Sequence, residues 1–126
     1  MSHQLAGRRV LVVEDSPLIA AELWEELEAV GASVVGPAAH LERALDLAAQ
    51  DKIDAAVLDV DLGDAMSFPV ADLLVERSVP IVFTTGFDDG AVPETYGDAP
   101  TLIKPAPARD VIAVLTDLLV ADRSAA

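Results

Sequence analysis

The chain has 126 residues, 52% of them hydrophobic, which matches one compact domain with ample apolar material for a core. Its 22 acidic and 8 basic residues leave a formal net charge of -14, which argues against binding DNA or an anionic membrane surface, since both reward clustered Lys and Arg. The lack of cysteine excludes disulfides and thiolate metal sites, and His3 and His40 are too few and too isolated for zinc.

In chain order, Arg9-Val10-Leu11-Val12-Val13 is a short aliphatic run suited to a strand buried on both faces of a parallel sheet. Ser16-Pro17 supplies an N-cap and a proline at the first helical position, and Ile19, Leu23, Leu27 and Val30 mark one face of a helix ending at Gly31. A second strand is expected over 33–35, followed by a helix with Leu41, Ala44, Leu45 and Ala48 at helical spacing. Strands over 55–60, 80–84 and 101–103 follow, with a helix over 68–77 between the first two. Val111, Ile112, Leu115, Leu118 and Leu119 form the inner face of a last helix. Between Phe87 and Pro100, two glycines, a proline and weak periodicity predict a short or irregular fourth helix and the most mobile stretch of the chain. Five β-α units in a row imply a parallel sheet covered by helices on both faces. The ends, 1–6 and 122–126, lack apolar periodicity and are expected to be flexible, which leaves one unit over 7–121 and no room for an output domain.

In such a sheet, ligands sit outside the carboxyl ends of the strands. Those positions are polar here: Glu14 and Asp15 after the first strand, Asp59 and Asp61 at the third, Thr84, Thr85 and Gly86 at the fourth, Lys104 after the fifth. Carboxylates converging from two strand ends repel one another at low dielectric unless a cation lies between them. Magnesium is the natural candidate, being hard, oxygen-seeking and able to keep positions open for water and phosphate oxygens. Asp59 ends the apolar run Ala55-Ala56-Val57-Leu58, where an unpaired carboxylate would be costly to desolvate. A carboxylate can attack phosphorus and form an acyl phosphate when the charge on the moving group is neutralised. Lys104 offers an ammonium for that, Thr85 a hydroxyl, and Gly86 a close backbone approach. Taken singly, each has a plainer reading: Glu14 and Asp15 as acids at a helix start, Lys104 as a snorkelling surface lysine, Thr85 as a turn residue. Their joint placement on strand ends is what sets them apart.

Four fragments, Val12-Val13-Glu14-Asp15-Ser16-Pro17, Val57-Leu58-Asp59-Val60-Asp61-Leu62, Thr84-Thr85-Gly86 and Ile103-Lys104-Pro105, lie in order on those strand ends. Through them the chain resembles a two-component response-regulator receiver domain from Arg9 to Leu119. The resemblance implies a doubly wound, flavodoxin-like sheet in the order 2-1-3-4-5. It implies Asp59 as phosphoacceptor, Asp15 and Asp59 as direct magnesium ligands, Glu14 acting through water and the Asp61 backbone carbonyl completing the protein ligands. Thr85 would turn inward on phosphorylation, Lys104 would pair with the phosphoryl group, and the bond before Pro105 is usually cis in the family. Receivers usually carry Tyr or Phe where Thr101 stands. The run Phe83-Thr84-Thr85-Gly86-Phe87 resembles the FAT-GUY subgroup of stand-alone receivers, which makes Phe87 either the moving aromatic or a cap on the hydrophobic edge.

The implied function is that of a single-domain receiver taking phosphate from a sensor histidine kinase or a histidine phosphotransfer protein and acting on a downstream protein. Transfer would be self-catalysed, so the chain is not expected to be an enzyme in the usual sense. No run approaches ~18 uninterrupted apolar residues and the N-terminus lacks the apolar core of a signal peptide, so a cytoplasmic location is expected. Two other classes stay open at this stage. One is a pseudo-receiver that uses the fold for constitutive protein contacts; the other is a magnesium-dependent phosphohydrolase, since Asp59-Val60-Asp61 resembles the Asp-x-Asp motif of enzymes with an aspartyl nucleophile.

Overall fold

The computed structural model describes residues 3–50, 52–86, 92–96 and 99–125. Five parallel strands form one sheet in the order β2-β1-β3-β4-β5, the flavodoxin-like order. The central strands are the apolar runs: β1 (Arg9–Val13), β3 (Ala55–Asp59) and β4 (Ile81–Thr85), buried throughout except for Arg9. The edges are β2 (Ser33–Ala38) and β5 (Thr101–Ile103), which are partly exposed. Among the described residues, four α-helices cover the sheet: α1 (Pro17–Ala29), α2 (Leu41–Gln50), α3 (Phe68–Glu76) and α4 (Ala108–Ala125).

Side-chain alternation along the strands splits the interior into two cores. Leu11, Val13, Ala56, Leu58, Ile81 and Phe83 meet Ala44 and Ala48 of α2 and Val70, Ala71 and Leu74 of α3. Val10, Val12, Val57 and Val82 point the other way, onto Leu23 and Leu27 of α1 and Val111, Leu115 and Leu119 of α4. Helices on both faces leave only the strand ends open to a ligand, which is why the polar residues that follow the strands come together.

Three expectations differ from what is observed. β2 continues three residues beyond 35, through Gly36 and Pro37, because it carries an extra residue where Leu11 pairs with Val35 and Val13 with Ala38. Gly36 adopts φ +98, and a Cβ there would lie 2.9 Å from the Ala38 nitrogen, so this bulged edge needs glycine. β4 is shifted by one, so that Pro80 precedes it and Thr85 belongs to it, paired with Ile103. The third difference concerns the ends: α4 remains helical through Ala125, and the segment before β1 is docked rather than frayed. Leu5 is fully buried in the same core as Leu27 and Leu119, and the Gly7 N–H donates to the Gly31 carbonyl at 2.9 Å. A lone leucine has no periodicity to betray it.

Leu5→Ala should therefore cost about 2–4 kcal/mol in urea denaturation, the usual loss for a buried leucine, whereas a frayed end would lose less than about 0.5 kcal/mol. Between β4 and β5, where a short or irregular helix is expected, the described residues include a 3-10 turn, Glu94–Tyr96. Residues 87–91 and 97–98, where mobility is expected, lie outside the described residues, and so does Phe87.

Candidate functional site

The carboxyl ends of β1, β3 and β4 lie side by side because Val13 pairs with Leu58 and Asp59 pairs with Thr84. Glu14 and Asp59 are almost wholly buried, and Asp15 is exposed. One carboxylate oxygen from each of Glu14, Asp15 and Asp59 can be chosen so that all three lie within 4.8 Å of one another. Lys104 reaches across from the end of β5 and places Nζ 2.9 Å from Asp59 Oδ2, and 3.2 and 3.3 Å from the two Glu14 oxygens. The Lys104–Pro105 bond is cis.

Local structure holds these groups in place. Ser16 caps α1 by accepting the Ile19 N–H, and its own N–H donates to Glu14 Oε2 at 3.0 Å. The Glu14 carboxylate is thus tied to the start of the helix as well as to Lys104. Lys104 and Thr85 are joined by the Lys104 N–H donating to the Thr85 carbonyl at 2.8 Å. Thr85 is buried on the same face of β4 as Phe83, two residues earlier.

Burial is the largest influence on Asp59 and pushes its carboxyl up to about 7; the Lys104 hydrogen bond pulls the other way, and the Glu14 charge adds to the rise. For Lys104, burial works against the ammonium, but the hydrogen bonds and charges of Asp59 and Glu14 outweigh it and the pKa lies above the ordinary lysine value. The arrangement is three acids around one ammonium, short of positive charge. An all-oxygen donor set already compensated by one cation suits a small hard divalent ion, and magnesium fits it better than zinc or copper.

The other expected residues have different positions. Asp61 is exposed, and its side chain accepts the Gly63 N–H at 2.8 Å. The carboxylate thus shapes the loop after β3, while the metal-capable group among the described residues is Glu14, Asp15 and Asp59. That placement removes support from an Asp-x-Asp phosphohydrolase, which needs the second carboxylate as a general acid. Gly63 has φ +90, and a Cβ there would lie 3.6 Å from Asp15 Oδ2. Thr101 is exposed at the sheet edge opposite Phe83. Sequence reasoning passed over Tyr96, which packs between Phe68 and Phe83 with ring centroids 5.6 and 5.5 Å away. Thr84, next to Thr85 on β4, lines a cavity of about 270 Å³ beside Lys104. Ile19, Leu23, Pro105 and Val111 supply its apolar wall. Tyr96 belongs to no spacing pattern that would single it out. No helix among the described residues is long and apolar enough to cross a membrane.

Residues 10–116 match the response regulator receiver domain. The chain is similar to the phyllosphere-induced regulator PhyR of Methylorubrum extorquens, 33% identical over 120 residues that make up 92% of this chain and 45% of that protein. It is also similar to the transcriptional regulatory protein PdtaR of Mycobacterium tuberculosis, 34% identical over 109 residues, 83% of this chain and 53% of that protein. The chain spans about half the length of these curated relatives. The solution structure of SdrG from Sphingomonas melonis Fr1 superposes with a TM-score of 0.77 at 39% identity, covering 93% of this chain and 98% of that one. SdrG has also been solved in a BeF3-activated conformation, with a TM-score of 0.73 at 39% identity over 90% of this chain and 98% of that one. A sheet edge carrying three acids and a lysine, on a fold matched over most of its length, leads to one conclusion: the chain belongs to the response regulator receiver domain family.

Proposed function

We propose that the chain takes a phosphoryl group from a phosphohistidine onto Asp59 in a magnesium-dependent reaction and passes the change of state to a protein partner. The observation that carries this reading is the Lys104 Nζ, 2.9 Å from Asp59 Oδ2, with Glu14 and Asp15 oxygens gathered around the same point. An Asp59 oxygen attacks phosphorus, the P–N bond to the donor imidazole breaks, and the imidazole nitrogen keeps the electron pair. The product is an acyl phosphate; water attack on phosphorus later releases inorganic phosphate and restores the carboxylate. Lys104 balances charge on the phosphoryl oxygens, and the Thr85 hydroxyl donates to another. When bound, magnesium supplies Lewis-acid neutralisation of those oxygens. Asp15 and Asp59 would hold it directly, Glu14 through water, and the Asp61 backbone carbonyl would complete the set. The cavity beside Lys104 gives the donor side chain a partly apolar approach.

A histidine kinase or a histidine phosphotransfer protein is the expected donor, and a regulatory protein the expected target. The chemistry is one self-modification per cycle rather than turnover of a diffusible substrate. Residues 7–121, extended to include Leu5, make up the functional unit in this reading.

The test is incubation with a small phosphodonor such as acetyl phosphate. With magnesium, intact mass should rise by one acid-labile phosphoryl group that maps to Asp59; with a chelator it should not. Absence of label, or label on another residue, would sink the reading.

Magnesium affinity should also depend on pH. An ion that needs Asp59 ionised competes with the proton that the carboxyl holds up to about pH 7. Affinity should thus climb up to about tenfold per pH unit below 7 and level off above it. Calorimetry in buffers of different ionisation enthalpy should detect close to one proton released per ion near pH 6 and few near pH 8.5. Equal proton release at both pH values would contradict the assignment of Asp59 as a ligand.

A further inference from the structure

Thr84 and Thr85 are neighbours on β4, so their hydroxyls leave the strand on opposite sides. Thr85 shares its side with Phe83; Thr84 shares its side with Val82, which belongs to the core under α1 and α4. There Thr84 lines the cavity of about 270 Å³ beside Lys104. The residue is 5% exposed, and its hydroxyl has no hydrogen-bond partner among the described residues. A hydroxyl is both donor and acceptor, and this one can be satisfied only by what the cavity holds.

The cavity has stiff walls. One is the start of α1, which Ser16 caps and which presents Ile19 and Leu23. The other runs from Lys104 into α4, where Pro105 and Pro107 have a fixed φ and Ala106 and Ala108 are too small to fill the gap. An apolar cavity of ~150 Å³ is enough for benzene. A volume of about 270 Å³ therefore takes one ring with a short arm. Water is a poor occupant along the apolar wall, because an ordered water needs about two to four polar partners.

The charge of the occupant follows from the side chains around it. Glu14, Glu22 and Lys104 are the charged groups that line the cavity. The Lys104 ammonium is already compensated, at 2.9 Å from Asp59 and 3.2 Å from Glu14. Glu22 is exposed at the open side and has no ion pair among the described residues. The net charge of -14 adds a field that gathers cations and repels anions.

We infer that this cavity is a binding site for a small amphipathic cation, an amine with one ring on a short arm. The ring packs between Ile19, Leu23, Pro105 and Val111, a polar group of the arm meets the Thr84 hydroxyl, and the ammonium faces Glu22. Such an occupant lies against Lys104 and Glu14 and closes the approach that the cavity otherwise gives a donor side chain. That gating role rests on Asp59 being the acceptor; the binding itself does not.

The test is methyl NMR of the full chain titrated with 2-phenylethylammonium, with phenylacetate and methylammonium as probes of charge and ring taken separately. Methyl signals of Ile19, Leu23 and Val111 should shift and saturate, with a dissociation constant of about a millimolar or tighter. Phenylacetate and methylammonium should each bind at least about tenfold more weakly. Ala106→Leu, which fills the cavity from a partly exposed position, should abolish the shifts, and Thr84→Val and Glu22→Gln should each weaken binding several-fold. Equal binding of phenylacetate, or affinity unchanged in any of the three variants, would overturn the site. Shifts that vanish with magnesium would put the ammonium in the acid cluster and overturn it as well. Saturating amine should then slow labelling of Asp59 by phosphoimidazole about tenfold, and an unchanged rate would overturn the gating role. No labelling even without the amine would overturn the acceptor reading and the gating with it, while the site stands or falls on the NMR result.

Discussion

Asp59→Asn should eliminate incorporation of acid-labile phosphate, a loss of more than about a thousandfold in rate, because an amide oxygen is no nucleophile toward phosphorus under these conditions. The same change should make the metal-free protein more stable in alkali. The folded carboxyl titrates near 7 and the unfolded one near 3.8, so the native state holds a proton that the unfolded chain has given up. The stabilisation tied to that proton is fully present below about pH 3.8 and is lost as the pH rises through 7. Asparagine cannot ionise and escapes this loss. The stability gap between variant and wild type should widen by on the order of 1–2 kcal/mol from pH 5 to pH 8 in urea titrations without metal. Excess magnesium should close it, since the ion stabilises only the form that binds it. A pH-independent gap would mean that Asp59 is not the group that titrates.

Lys104→Met should have the second largest effect. Lys104 is the one cation within 4 Å of Asp59 and Glu14 among the described residues, and it lies at 2.9 and 3.2 Å. Methionine keeps most of the volume and removes the charge, so two buried carboxylates then face each other uncompensated. A loss of about 3 kcal/mol is expected at pH 8 without metal. The loss should shrink near pH 5, where Asp59 takes up a proton, and shrink again with magnesium. Phosphoryl transfer from a small donor should fall by about 100-fold even with saturating magnesium, because one of the groups balancing the phosphoryl oxygens is gone. A loss of stability equal at both pH values and indifferent to magnesium would reduce Lys104 to a packing role.

Much of this was readable in the chain itself. The runs that became β1, β3 and β4 are apolar on both alternating faces, and such residues have few stable placements other than the middle of a covered sheet. Glu14, Asp59, Thr85 and Lys104 stood out because each interrupts or follows such a run, and burial of all but the partly covered Lys104 agrees with that. The edges were harder. Gly36-Pro37 has the composition of a strand breaker, yet an edge strand tolerates a missing N–H and a bulge absorbs the glycine. Leu5 gave no signal because the core it joins is built from residues far along the chain, Leu27 and Leu119 among them.

The alternation of aliphatic runs with amphipathic helices determined the architecture and the strand ends at which chemistry could gather, since hydrophobic burial acts on every residue and leaves a periodic trace. It also singled out Asp59, Glu14, Asp15 and Lys104 by residue type as one candidate site, and the fold brings them together. Only the folded chain decided that the Asp61 carboxylate belongs to the loop rather than to the acid cluster, that Asp59 is buried deeply enough to titrate near 7, and that Tyr96 bridges α3 and β4. These depend on contacts between residues far apart in the chain, with distances of a few ångströms that no local pattern encodes.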